Sequence, residues 1–308
     1  MDQTGTGNNF HFYAMWGEVK TIANAGTMQA VSSKTDGGCP ATLTTGQVYE
    51  LTDSRDQTTY HVTRLADGNC WMLDNLALDL TKVPDSYNGA DKITLDATNT
   101  NATDTSLGYL KGTTTRDPST DASGKYATAA VANWTTSYSY SAPLVNMSYK
   151  DTVPSNAPAD GQGNNEIGGY YNYCAASAGS YCYGDGTSAG TSTGNATEDI
   201  CPKGWRLPGG GSTVNLTATP PTGEYYNLYN GGFGYDTVTN YRNALSLPMA
   251  GYFYYGSPNY QGSRGYWWSS TRNDNYRMYY LYADTGRISP ASYDDRYLGS
   301  SIRCVLGS

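Results

Sequence analysis

A chain of 308 residues with a formal net charge of −8 has room for one large domain or two ordinary ones, and its lack of any Lys/Arg cluster excludes nucleic acid as the expected partner. Leu, Ile, Val and Phe are scarce enough to suggest disorder in a highly charged chain, but only 15% of residues are charged, and 30 Tyr and 6 Trp supply the missing apolar area. A folded chain with an aromatic core, many glycine turns and long polar excursions is therefore expected, with no apolar run long enough to span a membrane.

Residues 1–38 are rich in Gly, Thr, Asn and Ser and read as an N-terminal tail or the remnant of an upstream module. Their apolar patch at residues 10–16 is either the last strand of such a module or a strand that docks on the main domain. Nothing at Met1 reads as a signal peptide, so export would require a targeting segment outside this sequence. Residues 39–308 are read as one domain. Val48-Tyr49-Glu50-Leu51 and Tyr60-His61-Val62-Thr63-Arg64-Leu65 are β-prone runs joined by the turn residues Asp53 to Gln57, which predicts a hairpin. A second turn, Ala66-Asp67-Gly68-Asn69, leads into Cys70-Trp71-Met72-Leu73. His61 is expected to fill a strand position and not to act in catalysis.

Residues 81–165 form a polar insertion dominated by Thr, Asp, Asn, Ser and Ala, in which residues 127–134 are the candidate for a short helix. Gly168-Gly169-Tyr170-Tyr171-Asn172-Tyr173-Cys174-Ala175-Ala176 returns to an ordered aromatic segment, after which Cys174 and Cys182 bracket a small loop that they could close. Gly190-Thr191-Ser192-Thr193-Gly194 matches the GxSxG of serine hydrolases, yet the last histidine is His61, so the required downstream base is missing. Gly209-Gly210-Gly211-Ser212-Thr213 lacks the lysine of a phosphate loop. The six cysteines, Cys39, Cys70, Cys174, Cys182, Cys201 and Cys304, suit disulfides, with the connectivity open. None forms a CxxC pair and only two histidines exist, so no zinc site and no other cofactor is expected. The expected location is oxidising: extracellular or at the cell surface.

Residues 245–305 mix two kinds of position. Trp267-Trp268-Ser269-Ser270-Thr271, Arg296, Gly299 and Ser301-Ile302-Arg303-Cys304-Val305 read as strand ends, turn and covalent staple. Between them lie Tyr, Asn, Asp, Ser and Arg residues that a core does not require, in the composition of a binding loop. Arg272-Asn273-Asp274-Asn275-Tyr276 and Ser292-Tyr293-Asp294-Asp295 are polar runs expected to be loops. After Glu224 the chain contains no Lys and no Glu, residues that are common on solvated surface and depleted from interfaces. The candidate ligand-binding residues are Tyr254, Tyr255, Asn259, Tyr260, Arg272, Asn273, Asp274, Asn275, Tyr276, Tyr280, Tyr293, Asp294 and Asp295, with Tyr and Arg as anchors. Trp71, Trp205, Trp267 and Trp268 are assigned to the core.

Cys201-Pro202-Lys203-Gly204-Trp205-Arg206-Leu207-Pro208, followed by GYWWSST and the terminal GSSIRCV and preceded by TDSRDQTTYHVTRLADGNCWMLDNLAL, resembles the Fibrobacter succinogenes major paralogous domain. That family is similar in fold to C-type lectins and to the formylglycine-generating-enzyme group. The resemblance implies an α+β, C-type lectin-like fold, with short antiparallel strands, one or two helices, many loops and the long insertion. It covers residues 39 to 305 apart from that insertion. YWWSST, a polar loop, YYLYADTGRISP and SYDDRYLGSSIRCV further resemble the variable region of proteins diversified by retroelements. In such systems template adenines are copied with errors, and Lys or Glu codons cannot be reached from an asparagine AAY codon by changing those adenines. The implied function is a non-enzymatic binding protein that grips a protein or glycan on another cell or particle.

Two alternatives follow from the same fold. A calcium-dependent carbohydrate module would need hard oxygen ligands. Ser257-Pro258-Asn259 is only faintly similar to the EPN or QPD tripeptide of such lectins, and the WND triplet is missing. An enzyme of the formylglycine-generating kind would need reactive cysteines, whereas Cys304 stands in a strand motif better suited to a disulfide with Cys201.

Overall fold

The two β-prone runs after Gln47 pair as the expected hairpin. The computed structural model describes residues 21–22, 25–31, 47–78, 96–102, 130–131, 168–178, 180, 194–254, 257–274 and 276–306. Its strands are β1 (Thr21–Ile22), β2 (Val48–Thr52), β3 (Thr59–Arg64), β4 (Cys70–Met72), β5 (Ala130–Val131), β6 (Gly169–Tyr170), β7 (Gly194–Asn195), β8 (Trp205–Arg206), β9 (Tyr252–Tyr254), β10 (Ser257–Asn259), β11 (Arg264–Arg272), β12 (Arg277–Asp284), β13 (Ile288–Asp295) and β14 (Val305–Leu306). Among the described residues three short helices accompany them: α1 (Tyr173–Ala176), α2 (Glu224–Asn230) and α3 (Val238–Leu245). The architecture is α+β with mostly antiparallel strands.

In the hairpin, Tyr49 faces Val62 and Leu51 faces Tyr60, so alternate positions of both strands bury their side chains. The sheet then runs β1-β2-β3-β4-β14-β8 and closes on the C-terminal strand, where Val305 pairs with Trp71 on one side and Arg206 on the other. The CPKGWRLP and SIRCV motifs are thereby neighbours, and a Cys201–Cys304 disulfide joins them across a sequence separation of 103. Closing a loop of that length contributes ~4.7 kcal/mol in the chain-entropy treatment. Cys70 and Cys174 are also disulfide-bonded. Cys39 and Cys182 lie outside the described residues.

A second sheet has the order β13-β12-β11-β7. Alternation along β12 sends Met278, Tyr280 and Tyr282 into one buried cluster and Leu281 and Ala283 into another. The second cluster is covered by Tyr225 and Leu228 of α2 and by Tyr241, Ala244 and Leu245 of α3, packed on Trp71, Trp267 and Val305. All four assigned tryptophans are fully buried.

Buried polar groups fix how these layers meet. Thr237 caps α3 by accepting from the Asn240 N–H at 3.1 Å, and Ser246 ends the helix in the left-handed conformation. The fully buried Arg303 guanidinium closes that end, donating to the carbonyls of Leu245 at 2.7 Å and Ser246 at 2.8 Å. Its Nε reaches Asn75 Oδ1 at 2.6 Å, the same oxygen that accepts from Trp267 Nε1 at 2.7 Å. Arg206 holds Glu224 at the start of α2 with two bonds of 2.6 and 2.8 Å.

Several expectations change. Residues 21–22 and 25–31, placed in the tail, join the domain: β1 pairs in parallel with β2, and the carbonyl of buried Met28 accepts the Trp205 indole N–H at 2.8 Å. The patch at 10–16 lies outside the described residues. Within the insertion, Thr100 and Ala102 are buried and Thr100 bridges to Pro202. Of the span 127–134, expected as a short helix, the described Ala130–Val131 is a strand that pairs with β6, because tertiary pairing outweighs the helix propensity of alanine. The run Ser292-Tyr293-Asp294-Asp295 is strand and not loop, an outcome that the outer position of β13 in its sheet permits. No described helix is long and apolar enough to cross a membrane.

Candidate functional site

The β9–β10 hairpin places a row of tyrosines beside the second sheet. Gly251 starts it at φ +75°, where an added Cβ would lie 2.0 Å from the Asn259 carbonyl oxygen, so only glycine lets the two arms approach. Tyr252 then pairs with Asn259, and Tyr254 with Ser257. Phe253, between them, exchanges backbone bonds of 2.7 and 2.9 Å with Gly299 and stacks on Tyr170 at 5.9 Å. With Phe253 held against Tyr170, the period of two turns Tyr252 and Tyr254 to the other face of the hairpin, where they pack on the main core cluster. Ser257-Pro258-Asn259, the tripeptide weighed for a calcium lectin, is β10 itself.

These rings join those of the sheet in one aromatic layer. Tyr252 meets Tyr266 edge-on at 5.1 Å, Tyr266 meets Tyr282 at 5.3 Å and Tyr280 at 5.6 Å, and Tyr254 stacks on Tyr297 at 5.8 Å. Tyr260 lies 5.7 Å from Tyr252 and is 47% exposed. The layer carries its own cations at the rim: Arg264 sits 4.0 Å over the Tyr260 ring and Arg287 5.0 Å over that of Tyr282. The Tyr282 hydroxyl donates to Asp284 at 2.6 Å.

Desolvation sets the electrostatics of this face. It pushes the Tyr282 phenol up to about 12, helped by the Asp284 carboxylate, and raises Tyr252 and Tyr280, each further raised by Asp294. Asp294 stands opposite Met278 in the register, which puts it on the Tyr280 side of the sheet. Partial burial raises its own carboxyl, against the lowering effect of the Asp295 N–H that it accepts at 2.9 Å.

A second group occupies the opposite face near the β12–β13 end. Arg277 pairs with Asp274 at 2.5 Å and lies 4.7 Å over Tyr293, whose ring meets Tyr279 at 6.0 Å. Tyr276, 66% exposed, has Arg296 at 5.9 Å from its ring.

The thirteen sequence candidates therefore divide. Tyr254, Asn259, Tyr260, Tyr280 and Asp294 share the aromatic layer, though Tyr280 is only 8% exposed. Asp274 and Tyr293 gather around Arg277, with Asp295 opposite it in the register, while the Tyr276 ring lies beside Arg296. Half-buried Asn273 bonds through its backbone to Arg277 at the turn, and Arg272, 4% exposed, is held at the end of β11. Tyr255 and Asn275 lie outside the described residues. Tyr252, Tyr266, Tyr282, Tyr297, Arg264 and Arg287 belong to the layer and were not among the candidates. A signal for three of the six was present, since Tyr252 and Tyr254, Tyr266 and Trp268, and Tyr280 and Tyr282 repeat at strand spacing.

Chemically, the layer offers flat ring faces, several hydroxyls and a half-buried carboxylate, the equipment of recognition more than of bond making. Among the described residues, no three His, Cys, Asp or Glu side chains converge as a metal site. No family model, no curated protein and no solved structure matches the chain.

Proposed function

We propose that this chain is a non-enzymatic ligand-binding protein on a C-type lectin-like scaffold, diversified by a retroelement and displayed outside the cell. The observation that carries the reading is the aromatic layer formed by β9 to β12, in which tyrosines at strand spacing reach a rim where Tyr260 is exposed. The buried tryptophans, Arg303 and the Cys201–Cys304 disulfide supply a frame built from residues other than those exposed at the rim. The absence of Lys and Glu after Glu224 supports diversification of this part of the chain. The disulfides support an oxidising compartment. The order of the CPKGWRLP and SIRCV motifs, brought side by side in β8 and β14, supports the lectin-like scaffold.

The test has two arms. A combined protein and glycan array is probed with the chain and with a Tyr252→Ser/Tyr254→Ser/Tyr260→Ser variant; binding is expected for the first and lost in the second. Sister copies of the gene are expected to differ mainly at rim positions. An equal array signal for both proteins, or substitutions scattered evenly along the domain, would count against the proposal.

A further inference from the structure

Resting on the reading that the chain is displayed outside the cell, we infer that Asn215 is a modification site, where the carboxamide nitrogen takes an N-linked glycan from a lipid-pyrophosphate oligosaccharide.

The sequence holds Asn-x-Ser/Thr triplets at Asn101, Asn133, Asn146, Asn195 and Asn215, the acceptor pattern for such glycans. Asn133 and Asn146 lie outside the described residues. Half-buried Asn101 gives its Nδ2 to Asp199 at 3.3 Å. Asn195 spends both hydrogens of its Nδ2 on the carbonyls of Pro220 and Pro221, at 2.9 and 3.0 Å. Asn215 is the exposed one of the described three, and its bonds run through the other atom of the amide. Its Oδ1 accepts from the N–H groups of Thr217 at 3.3 Å and Ala218 at 3.1 Å and from the Thr217 hydroxyl at 3.0 Å, which leaves Nδ2 turned to solvent. The hydroxyl that makes the triplet readable is thus held beside the acceptor amide. Asn215 and Thr222 exchange backbone bonds of 3.2 and 3.0 Å, so the turn projects as a closed unit.

A second observation points to the same residue. Among the described residues the exposed large aliphatic side chains are Val214 and Leu216, at 42% and 44%, and they flank Asn215. A bulky, hydrated glycan rooted between them shields both from other chains. The turn leaves the domain at Gly210 and Gly211, which pack on Tyr279; a Cβ added to Gly210 would stand 2.7 Å from Tyr279 Cβ. Strand alternation points Tyr279 away from Tyr280 and Tyr282, so the glycan is rooted on the side away from the aromatic layer. In the transfer, the bond from Nδ2 to C1 of the sugar forms as the bond from C1 to the pyrophosphate oxygen breaks. The lipid pyrophosphate leaves with that electron pair and takes up the proton that Nδ2 loses.

The experiment maps glycopeptides by mass spectrometry in two preparations: the full chain recovered from its source cells, and the purified, folded chain treated with an oligosaccharyl transferase that reads Asn-x-Ser/Thr and its lipid-pyrophosphate oligosaccharide. One oligosaccharide on Asn215 is expected in both. Asn215→Gln and Thr217→Val, at exposed positions, are expected to remove it, and Thr217→Ser, which keeps the hydroxyl, is expected to retain it. The glycosylated chain is expected to give the same array signal as the bare one. Asn215 left bare in either preparation, or a glycan on Asn101 or Asn195 in its place, would overturn the inference and leave the binding-protein reading standing. Loss of the array signal on glycosylation would overturn it as well, because the glycan would then stand over the layer. A glycan on Asn215 in a chain whose array signal does not depend on Tyr252, Tyr254 and Tyr260 would uphold the inference and remove the binding reading. A chain found bare and confined to the cytoplasm would end both the inference and the displayed location.

Discussion

Replacing Arg303 by Met tests whether frame and rim are energetically separate. The guanidinium is fully buried and donates to Met72 O at 3.1 Å, Leu245 O at 2.7 Å, Ser246 O at 2.8 Å and Asn75 Oδ1 at 2.6 Å. Methionine fills much of the volume but donates nothing. Asn75 Oδ1 keeps its bond from Trp267, whereas three carbonyls lose the Arg303 donor, and each buried bond lost in this way costs about 1–3 kcal/mol. Removing a buried cation recovers desolvation energy, which offsets part of that sum, and bonds in one network do not add. A net loss of about 4 kcal/mol is expected, in the range reserved for broken buried networks. Tyr276→Ser, at a position 66% exposed, is expected to stay within about 0.5 kcal/mol. Urea unfolding followed by tryptophan fluorescence, with disulfides intact, measures both. A loss below about 1 kcal/mol for Arg303→Met, or comparable losses for the two variants, would refute the separation.

The Cys201→Ser/Cys304→Ser double variant is expected to lose up to ~4.7 kcal/mol in thermal unfolding, and a negligible loss would mean that β8, β14 and β4 hold the closure without the bridge. Burial raises the carboxyls of Asp67 and Asp199 from 3.8 to about 6, so the folded state binds protons more readily than the unfolded chain. Their contribution is fully present below pH 3.8 and is lost as pH rises through 6, at up to about 1.4 kcal/mol per unit for each group. The urea midpoint should therefore rise from pH 7 to pH 5, a window above that in which the lowered Asp274 and Asp284 act against it; a falling midpoint would sink this assignment. Gly251→Ala, with its Cβ driven into the Asn259 carbonyl at φ +75°, is expected to cost more than about 1 kcal/mol and to perturb the tyrosine near-UV signal. Gly286→Ala, whose nearest contact is 3.8 Å away, should change neither.

The local parts of this fold were legible from residues, and the non-local parts were not. The hairpin of β2 and β3 follows from two β-prone runs around a turn, and the buried tryptophans follow from aromatic bulk. Arg206 could be seen as part of a rigid motif, but its partner Glu224 lies 18 positions away, and no spacing rule links them. Arg303 looked like part of a covalent staple, whereas its work is to close α3, whose last residue lies 58 positions earlier. Ser292-Tyr293-Asp294-Asp295 reads as loop in the sequence because its polarity argues against a strand, yet it is the end of β13. At the outer strand of a sheet one side needs no partner strand, so acidic residues can sit in the ladder with side chains that are only partly buried.

That last point relocates the division between frame and rim. It does not fall between strands and loops but within single strands, by the direction of each side chain. In β12, Leu281 and Ala283 serve the core under the helices, while Tyr280 and Tyr282 belong to the aromatic layer. Freedom to vary must then follow exposure within the layer and not polarity along the chain. Tyr260, Tyr276 and Tyr293, each close to half exposed or more, can change without opening a cavity. Arg272 and Tyr280 are polar by composition but enclosed, and changing them would disturb the neighbours that close over them. A diversified protein built this way gains new specificities at its rim while its inner rings keep the layer flat and stiff enough to present them.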